Sequence, residues 1–169
     1  GGEGQIVGRV KKVALKPAEV KVGLLSHGHA DHVGGARFLQ DTFGPHLVMG
    51  AADWDLVENN KNFRDQKPKR DIAAVDGQKI SLGGETITLY LTPGHSPGTM
   101  SMLIPVTDHG TPHLAALWGG TGMQTTAEEY NRQAQRFREI VTKAGAGVIH
   151  SPHPQLDKWD GKAGPPGKA

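Results

Sequence analysis

The sequence contains no cysteine. That absence removes disulfides, cysteine-ligated zinc and thiol nucleophiles together, and leaves histidine and carboxylate as the strong metal ligands present in quantity. Long apolar runs are missing too: no stretch approaches the roughly 18 residues of a membrane-spanning helix. Charge of one sign is scarce, since 19 Lys and Arg against 17 Asp and Glu give a formal net charge of +2. Nucleic-acid binding would want a concentrated basic stripe. The nearest candidate, Arg64, Lys67, Lys69 and Arg70, is diluted by Asp65 and Asp71 and reads as a solvated loop. Apolar residues make up only 36%, against 24 glycines. One domain over residues 1–160 is expected, with a modest core and long functional loops, followed by a flexible Gly, Pro, Lys and Ala tail over 161–169. No signal-peptide pattern opens the chain, and its first residue is glycine, as in a processed or trimmed product.

What the chain does have is histidine at short intervals. Residues 26–35 read Ser-His-Gly-His-Ala-Asp-His-Val-Gly-Gly, directly after the apolar run Val22, Gly23, Leu24, Leu25. Alternate positions of an extended segment share a face, so His27 and His29 can approach one ion together. Asp31 and His32 come where the chain turns and can point to a second position nearby. Imidazole nitrogen with carboxylate oxygen makes zinc the first expectation.

Periodicity supplies the frame. Residues 5–15 space Ile6, Val10, Val13 and Ala14 as an amphipathic helix, stopped by Pro17, before a strand at 20–25. Gly34-Gly35 should open a second helix with Ala36, Leu39 and Phe43 on its apolar face, its start lying against the metals. A strand at 46–49 and a helix at 51–59 with Trp54 and Val57 follow. Residues 60–71 are polar and without period, a loop that would border a cleft. Strands are expected at 72–75, 79–82 and 85–91, with Asp76-Gly77 and Gly83-Gly84 as tight reversals between them. Residues 100–106 and 113–118 form a hairpin around Asp108-His109-Gly110, which leaves His109 and His113 exposed. Residues 126–144 are the clearest helix: Thr126-x-x-Glu129 is a capping box, and Tyr130, Ala134, Phe137, Ile140 and Val141 make a core stripe. Val148 and Ile149 form a last strand leading to His153. His46 has no ligand neighbour and reads as surface or satisfied core.

The motifs His27-x-His29-x-Asp31-His32, Thr92-Pro-Gly-His95-Ser-Pro-Gly-Thr99 and Ser151-Pro-His153-Pro154 resemble those of the metallo-β-lactamase superfamily, in its order, and are most similar to subclass B3. The resemblance runs from about residue 20 to 159 and implies an α/β fold, the αββα sandwich. Family members place several strands before the first motif, whereas here one helix and one strand precede it. The sandwich is therefore expected to be truncated at its N-terminal side, as in a fragment or a pared-down lineage, or to be completed by a second copy at an exposed sheet edge.

The resemblance also implies two zinc ions, the first held by His27, His29 and His95 and the second by Asp31, His32 and His153. Catalytic roles fall to Asp31 and His153, and a substrate contact to Thr121. The implied reaction is opening of a β-lactam ring, a small-molecule substrate, by a metal-bound hydroxide, in the periplasm or outside the cell. Ser26, Ser96 and Thr99 are then turn and supporting groups rather than nucleophiles. In many hydrolytic relatives an Asp bridges the two metals, but the matching residues 117–122, Leu-Trp-Gly-Gly-Thr-Gly, offer no carboxylate. That favours the B3 pattern over lactone, thioester or phosphodiester hydrolysis. A zinc-binding module without catalysis is the reading from a different class.

Overall fold

The computed structural model describes residues 3–12 and 16–153. Residues 13–15 of the first expected helix, the domain boundary at 160 and the tail 161–169 lie outside the described residues. Helix α1 spans Glu3–Lys12. After a 3-10 turn at Pro17–Glu19 comes strand β1, Val22–Leu24. Next are α2 (Ala30–Val33), α3 (Ala36–Phe43), β2 (His46–Gly50) and α4 (Ala51–Asn59). Strands β3 (Ile72–Ala74), β4 (Lys79–Leu82), β5 (Glu85–Leu91), β6 (Met100–Asp108) and β7 (Thr111–Leu117) follow. Helix α5 (Ala127–Ala144) and β8 (Val148–His150) close the described chain.

The strands make two sheets, one ordered β1-β2-β3 and one β4-β5-β6-β7-β8. The first is parallel, as the intervening helices require. The second is antiparallel except for the parallel pair β7–β8. Side-chain alternation sorts the core into three layers. On β2, Leu47 and Met49 face α4 and pack with Val33, Trp54, Val57 and Phe63, while Val48 faces the other way. Val48 and Ala74 of the first sheet meet Leu89, Met100 and Met102 of the second between the sheets. On the far side Leu103 and Ala116 pack under Phe137 of α5, with Tyr90, Leu114 and Ile140 around them. Helix, sheet, sheet, helix is the expected αββα sandwich.

Local chemistry fixes several boundaries. Thr126 caps α5 by accepting the Glu129 N–H at 3.2 Å, and Gly145 ends it in the left-handed region at φ 71°. The β6–β7 hairpin turns at His109 and Gly110, both at positive φ (45° and 85°), as a two-residue loop demands. Both His109 and His113 are exposed, as is His46, which sits 3.2 Å from Asp71.

Three local expectations change. Asp76-Gly77 does form a tight turn, with the Gln78 N–H donated to Val75 O at 3.1 Å, but the strands it joins belong to different sheets. It is the crossing point of the sandwich, a distinction that turn residues do not encode. The helix beside the metal motif is the short α2, capped by His29, with Gly34-Gly35 separating it from α3. Residues 60–71 include a 3-10 stretch, Lys61–Gln66. They are tied to α3 and α4: Gln40 and Lys69 exchange two hydrogen bonds at 2.8 Å, and Arg70 meets Asp55 at 2.5 Å. Among the described residues no helix is long and apolar enough to cross a membrane.

Candidate metal centre

Strands β1, β5, β7 and β8 all end at the same edge of the sandwich. In the second sheet β5 and β7 run the same way because both are antiparallel to β6, and β8 is parallel to β7. The loops leaving these four strands carry His27 and His29, then His95, then residues 118–122, then His153. A backbone bond from Met100 N–H to Ser26 O at 2.8 Å stitches the β1 loop to the second sheet.

Two groups of imidazoles result, His27 with His29 and His95, and His27 with His32 and His153. Within each group the ligand nitrogens lie within 4.8 Å of one another. His27 is fully buried at 0% exposure and belongs to both groups, which the motif spacing does not reveal. Asp31 stands outside both: it is exposed, and its Oδ2 lies 3.3 Å from His32 Nε2. Thr121 donates its N–H to His153 Nδ1 at 3.3 Å, and its hydroxyl lies 3.1 Å from Ser151 Oγ, so it joins the loops after β7 and β8.

Proton placement shows why the first group fits a cation. His27 Nδ1 faces Gly119 O at 2.9 Å, and His95 Nδ1 faces Gly122 O at 2.8 Å. A carbonyl only accepts, so each Nδ1 carries the ring's single proton and each Nε2 presents a lone pair. Those two Nε2 atoms face each other at 3.2 Å, and His29 Nδ1 lies 3.1 Å from His95 Nε2. Bare lone pairs repel at this range unless a cation sits among them. Tetrahedral zinc, with Zn–N of about 2.0–2.1 Å, sets neighbouring nitrogens about 3.3–3.4 Å apart. In the second group His32 Nε2 and His153 Nε2 are 3.0 Å apart.

Electrostatics favours the neutral form of three of these rings, His27, His29 and His32. Burial, reinforced by His32 and His95, pushes His27 down from 6.5 to about 3. Burial also lowers His29 and His32, although Asp31 opposes the shift in both. Burial acts to raise the Asp31 carboxyl, but the imidazoles nearby, His32 first, hold it below the usual carboxylate range. The sign for stability follows from His27. Between pH 6.5 and about 3 the unfolded chain takes up a proton that the buried ring refuses, so the unfolded state gains. Metal-stripped protein is therefore expected to melt at progressively lower temperature as pH falls through that window, with no contribution from this group above it. Calorimetry across the range checks this, and a flat profile would mean His27 is not held neutral.

The supporting residues include one that sequence reasoning missed. Asp53 on α4 is 0% exposed and accepts from Gly28 N–H at 2.7 Å, Ser96 Oγ–H at 2.6 Å and Gly98 N–H at 2.7 Å. Its position four before the buried Val57 puts a carboxylate on the apolar face of α4, and that anomaly was the available signal. Ser96 also reaches Thr99 Oγ1 at 2.7 Å, and Ser26 Oγ lies 3.1 Å from His27 Nδ1, so these hydroxyls support the site as expected. Residues 119–122, read only for lacking a carboxylate, contribute the carbonyls that orient His27 and His95.

Comparison with known proteins agrees with this geometry. Residues 1–109 match the family model of the metallo-β-lactamase superfamily. The chain is 38% identical over 80 residues to a hydroxyacylglutathione hydrolase of Acidiphilium cryptum, covering 47% of this chain and 29% of that one. It is 37% identical over 140 residues to a probable polyketide biosynthesis zinc-dependent hydrolase of Bacillus velezensis, covering 78% of this chain and 58% of that one. It thus spans less than two thirds of these curated relatives. Among solved structures, the subclass B3 metallo-β-lactamase of Bradyrhizobium japonicum superposes with a TM-score of 0.69 at 28% identity, over 98% of this chain and 70% of that one. With motif order, layered sandwich and converging imidazoles all in agreement, the chain belongs to the metallo-β-lactamase superfamily, and its structural neighbours include the B3 β-lactamases.

Proposed function

We propose that this chain is a dinuclear zinc hydrolase that opens β-lactam rings. The observation that carries the reading is the carboxylate-free turn at residues 119–122, whose Gly119 and Gly122 carbonyls fix the His27 and His95 rings. On this reading His27, His29 and His95 hold the first ion, and Asp31, His32 and His153 the second, with His27 between them. Zinc held there supplies Lewis acidity and brings the pKa of water toward neutrality. The carbonyls of residues 119 and 122 keep protons on Nδ1 and so hold Nε2 bare toward the pocket. Asp31 keeps its carboxylate ionised beside His32 and orients the attacking water. Thr121, beside His153, meets the acidic group of the substrate. Burial of His27 and His95 keeps solvent from competing for their nitrogens.

A second reading, thioester hydrolysis, is favoured by the likeness to the hydroxyacylglutathione hydrolase. A chromogenic cephalosporin, a glutathione thioester and a lactone, each assayed with zinc-loaded and chelated protein, separate the two. Turnover of the cephalosporin, abolished by chelator and restored by zinc, is the expected result. Thioester or lactone turnover with the cephalosporin untouched would replace the β-lactam reading. Bound zinc with no turnover would make the chain a binding module.

A further inference from the structure

Asp53 is a buried carboxylate whose partners are all neutral. Its three donors are two backbone amides and a serine hydroxyl, and among the described residues no lysine or arginine pairs with it. A charge taken fully out of water is costly unless positive charge lies near, and neutral donors offset only part of that cost. A cation held by the adjoining imidazole groups would supply that charge.

The donors are also informative by position. Gly28 lies between His27 and His29, whereas Ser96 and Gly98 follow His95. One side chain thus holds both loops that supply the first imidazole group. The fit has no slack. A Cβ on Gly28 would lie 3.0 Å from Asp53 O, and one on Gly98 would lie 2.5 Å from Asp53 N and 2.9 Å from its Cβ. Gly50, the residue capping α4, is pressed as closely, since a Cβ there would lie 2.2 Å from Gly98 O. Helix α4 is therefore seated against the β5–β6 loop through Asp53 and its glycines.

We propose that Asp53 is a positioning residue for the metal centre: its buried carboxylate fixes the His27–His29 loop against the His95 loop, and its charge favours the cation-bound state. The inference rests on metal binding at the imidazole groups but not on which bond the protein cuts.

The test compares native protein, Asp53→Asn and Ser96→Ala by zinc affinity, read by competition with a chromophoric chelator, and by thermal melting of the metal-free form. Asp53→Asn keeps the shape, removes the charge and sets an amide NH2 against the donors of one former oxygen. It is expected to weaken zinc binding by about 10–100-fold, the range for outer-shell partners of metal ligands. Ser96→Ala keeps the charge and both amide bonds, and is expected to weaken zinc binding severalfold, less than Asp53→Asn does. A residue that merely staples loops would lower the metal-free melting temperature while leaving zinc affinity unchanged, and that pattern overturns the proposal. Should Asp53→Asn not fold, Ser96→Ala decides: weakened affinity supports the proposal and native affinity overturns it. A native chain that takes up no zinc would end the metal reading itself, and this inference with it.

Discussion

His27→Ala is expected to empty the first metal position and disturb the second, whereas His95→Ala should empty the first and spare the second. The difference lies in where the His27 ring is packed. His27 belongs to both imidazole groups, with its centroid 4.8 Å from His29, 4.5 Å from His95, 3.8 Å from His32 and 5.3 Å from His153. Losing a direct ligand should exceed the roughly 10–100-fold cost of losing an outer-shell partner. The ring's single bare Nε2 binds one ion, so removing His27 leaves the first ion two imidazoles, fewer than the three protein ligands of an open zinc site. His32 and His153 lose a packed neighbour rather than a fellow ligand. Removing His95 leaves His27, His32 and His153 intact. His27→Ala also deprives Gly119 O of its partner, which costs the metal-free fold about 1–3 kcal/mol. Metal content after dialysis, beside melts of the metal-free proteins, separates ligand loss from unfolding. Native zinc content in a folded His27→Ala protein would refute His27 as a ligand of the first ion.

Gly120→Ala should come next in size. A Cβ at residue 120 would lie 2.5 Å from His95 Cδ2 and 2.6 Å from its Cβ and Cγ, well inside van der Waals contact. The ring cannot swing aside freely, because its Nδ1 is held by Gly122 O at 2.8 Å. Residue 120 cannot retreat easily either: its carbonyl accepts from Tyr130 OH at 3.3 Å, and a Cβ at the adjoining Gly119 would already lie 2.2 Å from Met100 O. The expected result is loss of zinc from the first group, retention in the second, and about 1–3 kcal/mol of overpacking strain. Gly147→Ala is the control, since a Cβ there meets nothing within 4 Å. Native zinc uptake by Gly120→Ala would show that this glycine does not position His95.

The five histidines that the fold gathers stood out because imidazoles at short, fixed spacing leave a mark in sequence, whereas Asp31, read with them, stands outside both groups. The structure brings His32 and His153 to 3.0 Å across 121 positions. Strand and helix periods were equally readable, down to the Thr126 cap. What escaped notice works through the main chain or through shared geometry. Carbonyls at 119 and 122 set the proton on two rings, yet any residue has a carbonyl, so composition says nothing of that role. His27 serving two groups depends on where loops from different sheets meet. Asp76-Gly77 looks the same whether it reverses a hairpin or crosses between sheets. Asp53 was hidden among helix-surface acids such as Asp55, although only Asp53 is buried.

The carbonyls that orient His27 and His95 have a consequence for timing. A chain made from its N-terminus has His27, His29 and His95 in hand once residue 95 is added, yet Gly119 and Gly122 are still to come. Until that turn emerges, nothing dictates which nitrogen of either ring bears the hydrogen, and the imidazoles tumble between tautomers. The arrangement that aims both Nε2 lone pairs at one spot is therefore complete only after that turn has emerged, and His153 joins it later still.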